Sequence, residues 1–261
     1  MDRQYWEELA PKYEAEVFSV AAHDRRGLIR SRLERIASRR RDALDLGCGI
    51  GLWLPLLSSL FRSVIAVDLS RKLVARAEAA CGHLRNVTFH QRDLSRKDRA
   101  LPRADVVLCV NAILTPSLTR RERLWDTLAA QLRRGGDLLL VVPALESALL
   151  TKQRLIEWNL RDGVAPHVAV RSALAADRDK AAGWLEGVVP VDGADTKHYL
   201  REELEVWLRS RGIEPSEVSK LEYPWTSEFA EPPRWMAAPY PWDWLVVARR
   251  RPGAPPARRR G

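Results

Sequence analysis

From Ala43 onward, short apolar runs alternate with segments whose apolar residues recur every three or four positions. Ala43–Leu46, Ser63–Asp68, Asn86–Leu94, Pro102–Asn111 and Asp137–Val142 read as strands, several apolar enough to be buried on both faces. Between them, Leu52–Leu60 has a helical look, and Leu73, Ala77 and Cys81 lie one turn apart behind Ser70 as cap, with Gly82 as stop. Thr119-Arg-Arg-Glu122 is a capping-box pattern opening a helix with Leu124, Leu128 and Leu132 on one face, stopped by Gly135-Gly136. Five strand–helix alternations in succession predict an α/β fold: a doubly wound, mostly parallel sheet with right-handed crossovers and helices on both faces.

The alternation breaks after Pro143. Leu145–Arg161 reads as a helix, Asp162–Lys197 is mixed, and His198–Arg211 is helical again with Leu200, Leu204, Trp207 and Leu208 in a stripe. Val218–Trp225 and Trp242–Arg249 then read as strands joined by a Pro- and Trp-rich connection. Ahead of the first strand, Tyr5–Tyr13 and the spacing of Leu28, Leu33 and Ile36 predict an amphipathic helix pair. It would cover a sheet edge, or bring Trp6 and Tyr13 over a bound ligand. No internal repeat is visible.

Composition narrows this picture. At 261 residues, 46% hydrophobic and 30% charged, the chain has globular values and can bury a sizeable core. No apolar run approaches the roughly 20 residues that span a bilayer. Met1–Glu16 carries five acidic and two basic residues and no apolar signal core, so the expectation is a cytoplasmic protein without membrane association. Cys48, Cys81 and Cys109 are odd in number and widely spaced, which fits reduced thiols rather than disulfides or a metal site.

The net charge of +9 raises the question of nucleic acid, but Arg249, Arg250, Arg251, Arg258, Arg259 and Arg260 supply six of those charges and leave +3 for the body. The basic runs carry no interleaved aromatics of the kind that stack on bases, which disfavours a nucleic-acid partner. Arg250–Gly261 reads as a disordered basic tail.

The chemistry concentrates at Ala43-Leu-Asp-Leu-Gly-Cys-Gly-Ile-Gly51. Three glycines after a buried strand allow a sharp turn and let a ligand lie against bare backbone, and the helix start beyond attracts anions. Asp45 is a carboxylate inside an apolar strand and needs a reason to be there. Dinucleotide binders space their glycines Gly-x-Gly-x-x-Gly, whereas here the residue three past Gly49 is Leu52 and the third glycine is Gly51. A second strand ends at Asp68, 17 residues past Gly51, where a carboxylate can accept two bonds from ribose hydroxyls. A third runs into Asp93.

Asp-x-Gly-x-Gly-x-Gly at Asp45–Gly51, with Asp68 and Asp93-Leu94, resembles the class I S-adenosylmethionine-dependent methyltransferases. The resemblance spans about Tyr5 to Arg249. It implies that Tyr13, Asp45, Gly47, Cys48, Gly49 and Gly51 surround the methionine portion of the cofactor. It further implies that Asp68 and Leu69 serve the ribose, Asp93 and Leu94 the adenine, and Asn111 the amino-acid end or the transferable methyl. S-adenosylmethionine would leave as S-adenosylhomocysteine, and no metal is required. The family closes its sheet with a helix and an antiparallel pair of strands, which makes seven strands here and leaves an insertion after the fifth. The division expected is 1–42 as a helical cap, 43–143 as the cofactor-binding core and 144–197 as an inserted helical lid. Residues 198–249 would then complete the sheet, ahead of the tail at 250–261.

The acceptor is less legible. Asn111 is not followed by Pro-Pro-aromatic, the signature of nucleobase and amide N-methyltransferases. His198 is the candidate general base, with His167 and Glu146 as others beside the lid. Arg154 and Arg161 could meet an acidic acceptor, and Trp225 and Trp235, among prolines, could line an apolar pocket. The leading expectation is methyl transfer to an oxygen or nitrogen of a small organic acceptor. An RNA or protein methyltransferase, a non-catalytic S-adenosylmethionine-binding module and a nicotinamide-dependent dehydrogenase are the alternatives. Oligomeric state is open.

Overall fold

The structure, a computed structural model, describes residues 1–96, 101–175 and 181–253. Seven strands form one sheet: β1 (Ser38–Leu46), β2 (Phe61–Asp68), β3 (Val87–Gln91), β4 (Ala104–Val110), β5 (Leu132–Pro143), β8 (Ile213–Glu222) and β9 (Trp242–Arg250). The spatial order is β3-β2-β1-β4-β5-β9-β8. β1 to β5 are parallel, and β9 runs antiparallel between β5 and β8. Two shorter strands, β6 (Val188–Val191) and β7 (Ala194–Lys197), pair apart from the sheet.

The strand sequences explain the layering. Leu44 and Leu46, Val107 and Cys109, and Leu138, Leu140 and Val142 face one side, where α7 (Leu118–Gln131) and α11 (Arg201–Arg209) add Trp125, Leu128, Leu204 and Leu208. Ala43, Val106, Leu108, Leu139 and Val141 face the other. There α4 (Leu28–Ile36), α5 (Leu54–Leu60) and α6 (Arg71–Cys81) deliver Ile29, Leu33, Leu54, Leu57 and Ala77. Alternate residues of one strand thus serve two cores, and strands that are apolar on both faces follow.

Local signals shift several boundaries. Ser117, not Thr119, caps α7, its hydroxyl accepting from the Arg120 N–H. That helix ends at Gln131, so Leu132 belongs to β5 and not to the helical stripe. α11 starts at Arg201, which leaves His198 in extended chain before it. Arg250 ends β9 and is buried, donating to the carbonyls of Ala129 and Leu132, so it is no part of a tail. Arg258, Arg259 and Arg260 lie outside the described residues.

The N-terminal segment carries α1 (Arg3–Leu9), α2 (Tyr13–Glu16) and α3 (Val20–His23) before α4. Glu7 caps α6, its carboxylate accepting from the N–H groups of Arg71 and Lys72. After β5 come α8 (Leu145–Arg161), α9 (Pro166–Ala173) and α10 (Ala181–Leu185), then the β6–β7 hairpin. The insertion is therefore helical only in its first part.

Its return is bonded to the sheet's loops. The Lys197 N–H donates to Leu114 O, the Tyr199 N–H to Pro143 O, and the Leu145 N–H back to Tyr199 O, all at 2.8–3.0 Å. The buried Tyr199 hydroxyl donates to Ile113 O at 2.7 Å. Among the described residues no helix is long and apolar enough to cross a membrane.

Candidate active site

In a parallel sheet the loops after the strands gather at one rim, where ligands of open α/β folds bind. Here that rim collects the ends of β1, β2, β3, β4, β5 and β8 and, because it runs backwards, the start of β9. Pro143 at the end of β5 pairs with Asp243 at the start of β9. A cleft of about 920 Å³ opens along it, roofed by the N-terminal segment and the insertion.

One end of the cleft is built from backbone. Gly47 and Gly49 have φ of 83° and 54°, the left-handed region that side chains resist. A Cβ on Gly47 would lie 2.3 Å from the Ala112 Cβ, and one on Gly49 would lie 2.6 Å from the Tyr13 hydroxyl. The turn is pinned from below, with the Gly47 and Cys48 N–H groups donating to Val67 O. Asp68 holds it from the side: Oδ2 accepts from the Gly49 N–H and Oδ1 from the Ser70 N–H, each at 2.9 Å. Burial pushes the Asp68 carboxyl up, and these donors pull it back. The Tyr13 phenol is held neutral by burial and by the Asp68 charge.

Tyr13, Gly47, Cys48, Gly49, Asp68, Leu69, Asp93, Leu94 and Asn111 all line the cleft, as does Trp6. Asp45 and Gly51 do not. Asp45 sits beneath the turn, 1% exposed, with Oδ2 lacking any hydrogen-bond partner. Burial, with the Asp68 charge beside it, pushes its carboxyl up to about 7. Gly51 packs on Leu54 and Ala77 behind the turn. Asp93 Oδ1 accepts from the Ser95 N–H and hydroxyl, and Arg120 approaches it at 3.9 Å. Asn111 has φ of 46°; its Nδ2 donates to Asp243 and its Oδ1 has no partner.

The other end is built from side chains distant in sequence. Asp243 lines the cleft although only 8% exposed, and burial pushes it up to about 6. The Tyr223 hydroxyl donates to its Oδ2 at 2.9 Å and Asn111 Nδ2 at 3.3 Å. Glu228, Thr151, Ser147, Trp184 and His198 also line the cleft. His198 is buried, its Nδ1 lies 3.1 Å from Thr196 O, and burial pulls it down to about 4. It is therefore a neutral imidazole and, with Nδ1 donating, presents Nε2 as an acceptor.

Four expected acceptor-pocket residues lie elsewhere. Glu146 accepts from the Arg201 N–H and the Trp244 indole, both at 3.2 Å, and caps α11 instead of reaching the cleft. Arg154 is ion-paired to Glu157 at 2.7 Å, with its guanidinium over Trp225 at 5.7 Å and Trp235 at 5.4 Å. Trp225, 2% exposed, donates its indole N–H to Ala237 O, and Arg161 covers Trp235 at 4.0 Å. Together these arginines and tryptophans clamp the chain before β9 onto α8, a packing role that cation–π contact explains. His167 is exposed on α9 and does not line the cleft. Reading the sequence missed Asp243, Tyr223 and Glu228. The signal for Asp243 was the one used for Asp45, a carboxylate within an apolar strand, Trp242-Asp-Trp-Leu-Val-Val.

A family profile described as a methyltransferase domain matches residues 43–136, the stretch that runs from the first strand through the start of β5. Residues 43–136 thus match a methyltransferase domain. Solved structures share the methyltransferase fold over nearly the whole chain. A complex of DhpI with SAH is 20% identical, with a TM-score of 0.60 and 96% of each chain covered. A SAM-dependent methyltransferase from Anabaena variabilis is 15% identical at a TM-score of 0.61, covering 95% of this chain and 93% of its own. Magnesium protoporphyrin IX methyltransferase from Synechocystis, with bound SAH, is 15% identical at 0.57, covering 95% and 97%. No curated protein matches the chain.

The methyltransferase cleft fits an adenosyl-sulfonium ligand on its own evidence. Bare backbone at Gly47 and Gly49 gives room for close approach. Asn111 Oδ1 is a buried acceptor still lacking a donor, which a ligand amino group supplies. Asp68 has spent two lone pairs on the turn and keeps capacity for hydroxyls.

Proposed function

We propose that this enzyme moves the methyl group of S-adenosylmethionine to an oxygen or nitrogen of a small organic acceptor. One observation carries the reading: the glycine turn and Asp68 share a single roofed cleft with a second polar end at Asn111, Tyr223 and Asp243. A cofactor-sized site that continues into a separate polar chamber suits group transfer between two bound molecules.

When bound, S-adenosylmethionine supplies an electrophilic methyl group on a sulfonium. The chain's task is then to orient and to exclude water. Gly47–Gly49 and Tyr13 would hold the methionine portion, Asp68 the ribose, and Asp93 with Leu94 the adenine. Asn111, left-handed at the end of β4, faces both ends, since it bonds Asp243 with one side-chain atom and leaves the other open. His198 would accept a hydrogen bond from the acceptor through Nε2 and orient it, without carrying charge near pH 7. The reading needs no metal. Magnesium protoporphyrin IX methyltransferase, seen with SAH, is a small-molecule precedent on the same fold.

Calorimetry with S-adenosylmethionine and S-adenosylhomocysteine tests the reading directly. Micromolar binding of both at one site is expected, competing with each other; absence of binding to the folded protein would refute it. RNA affinity measured against salt separates the nucleic-acid alternative, which requires a steep salt slope.

A further inference from the structure

The acceptor end of the cleft has an unusual balance of donors and acceptors. Asp243 and Glu228 both line it, and among the described ion pairs neither carboxylate has a cationic partner. They lie close enough that the Asp243 charge, after burial, raises Glu228. The Asn111 Oδ1 beside them is a third acceptor and has no donor. Of the donors present, the Tyr223 hydroxyl is committed to Asp243, and the Thr151 hydroxyl to Ser147 O at 3.1 Å and, weakly, to Glu228 at 3.5 Å, while the Trp184 and Trp242 indoles and the Ser227 hydroxyl, which also line the cleft, have no partner. Lys152 is drawn toward the Trp184 ring at 6.0 Å, and Arg120 stands by Asp93 at the opposite end. A ligand bearing hydrogen-bond donors would satisfy Asn111 Oδ1 and the two carboxylates.

Building on the methyltransferase reading, we propose that the acceptor is an amine, held by Asp243 and Asn111 Oδ1, with Asp243 and Glu228 stabilising the charge that methylation creates on its nitrogen. The two N–H groups of a primary amine match the two acceptors and turn its lone pair away from them. The ammonium form first releases its proton to solvent, and as the freed lone pair forms the carbon–nitrogen bond, the carbon–sulfur bond breaks with its electrons left on sulfur. The positive charge therefore moves from sulfur to nitrogen, and the product is an N-methylammonium next to two carboxylates. That charge is absent from the neutral amine, so the carboxylates favour the transition state over the bound reactant. A carboxylate acceptor would instead enter the field of two like charges. Tyr223 is a positioning residue: its hydroxyl fixes the Asp243 carboxylate, and its ring is itself wedged edge-on by Phe18 at 4.8 Å.

The test uses the full chain and three matched probes: benzylamine, benzyl alcohol and benzoate. Binding to the protein saturated with S-adenosylhomocysteine is measured by calorimetry, and transfer from S-adenosylmethionine by product mass. Benzylamine is expected to bind best and to be the probe methylated. Asp243→Asn should weaken benzylamine by about tenfold, the size of one charge-assisted contact, while S-adenosylhomocysteine affinity stays within about twofold. Glu228→Gln should lower transfer more than binding, because its charge acts on the forming ammonium; this variant also serves if Asp243→Asn does not fold. Preference for benzoate or benzyl alcohol, or no binding of any probe, overturns the amine assignment while leaving the cofactor reading in place. Failure of S-adenosylhomocysteine to bind overturns both.

Discussion

At one end of the cleft, Gly47, Gly49, Asp68 and Ser70 lie within a few dozen residues and bond through main-chain N–H groups. At the other, Asn111 meets Asp243 across 132 residues, and Tyr223 meets it across 20, entirely through side chains. The first end is a property of the fold, since any chain that turns so sharply between β1 and α5 presents bare backbone there. The second is a property of this chain, assembled from the insertion, the last strands and the N-terminal segment. One end can thus stay constant while the other changes its ligand.

The largest effect is expected outside both ends. Trp225→Ala removes a buried indole clamped by Arg154 and stacked on Phe229, and should cost about 3–5 kcal/mol of stability in denaturant titrations. Ligand preference should stay unaltered in whatever remains folded; altered acceptor choice would return Trp225 to the pocket. Next comes Asp68→Ala, which removes the anchor of the Gly49 and Ser70 N–H groups and, on the proposed reading, the ribose acceptor. Cofactor affinity should fall on the order of 100-fold by calorimetry, as two charge-assisted bonds imply. Amine probes should still meet an intact acceptor end, and parallel losses at both ends would show that the two are not separable.

Gly49→Ala is expected to act more mildly. Its Cβ would force the Tyr13 hydroxyl aside and strain a left-handed turn, weakening cofactor by about tenfold, with strain of order 1–2 kcal/mol. Combining it with Tyr13→Phe, which removes the clashing oxygen, should restore part of the loss.

The smallest effect concerns Asp45. Its carboxyl stands near 7 in the folded chain against an ordinary value of 3.8, so between those pH values the folded state keeps a proton that the unfolded state has released. Stability therefore falls as pH rises through that window. Asp45→Asn removes the penalty, and the ligand-free variant should melt about 2–4 °C higher than the parent at pH 8 while differing little at pH 4. Equal shifts at both pH values would count against a buried, titrating carboxyl.

How much could be read in advance follows the same divide. Strands such as Asp137–Val142 and the helix Leu145–Arg161 announced themselves by apolar periodicity, because each buries a face along its own length. Gly47–Gly51, Asp68 and Asp93 were legible because local turn geometry constrains residue type. Glu146, Arg154, Trp225 and Trp235 misled, since a polar or aromatic residue near the expected mouth can equally cap a helix or brace a loop. Which it does depends on partners such as Trp244 and Ala237 that only folding brings near. Ser117 displaced Thr119 as helix cap for a comparable reason: both are good caps, and the turn after Pro116 decided between them.

The backbone bonds at Lys197, Tyr199 and Leu145 bear on how molecules reach the cleft. They stitch the returning insertion into the loops after β4 and β5, where water does not compete. The N-terminal segment is fastened differently, by the solvent-facing pairing of Arg76 with Glu14 and of Arg3 with Glu7, and by the Glu7 carboxylate on α6. Exposed pairs of that kind part at little cost. The N-terminal segment, which carries Tyr13, is therefore expected to part first when the cleft exchanges ligand.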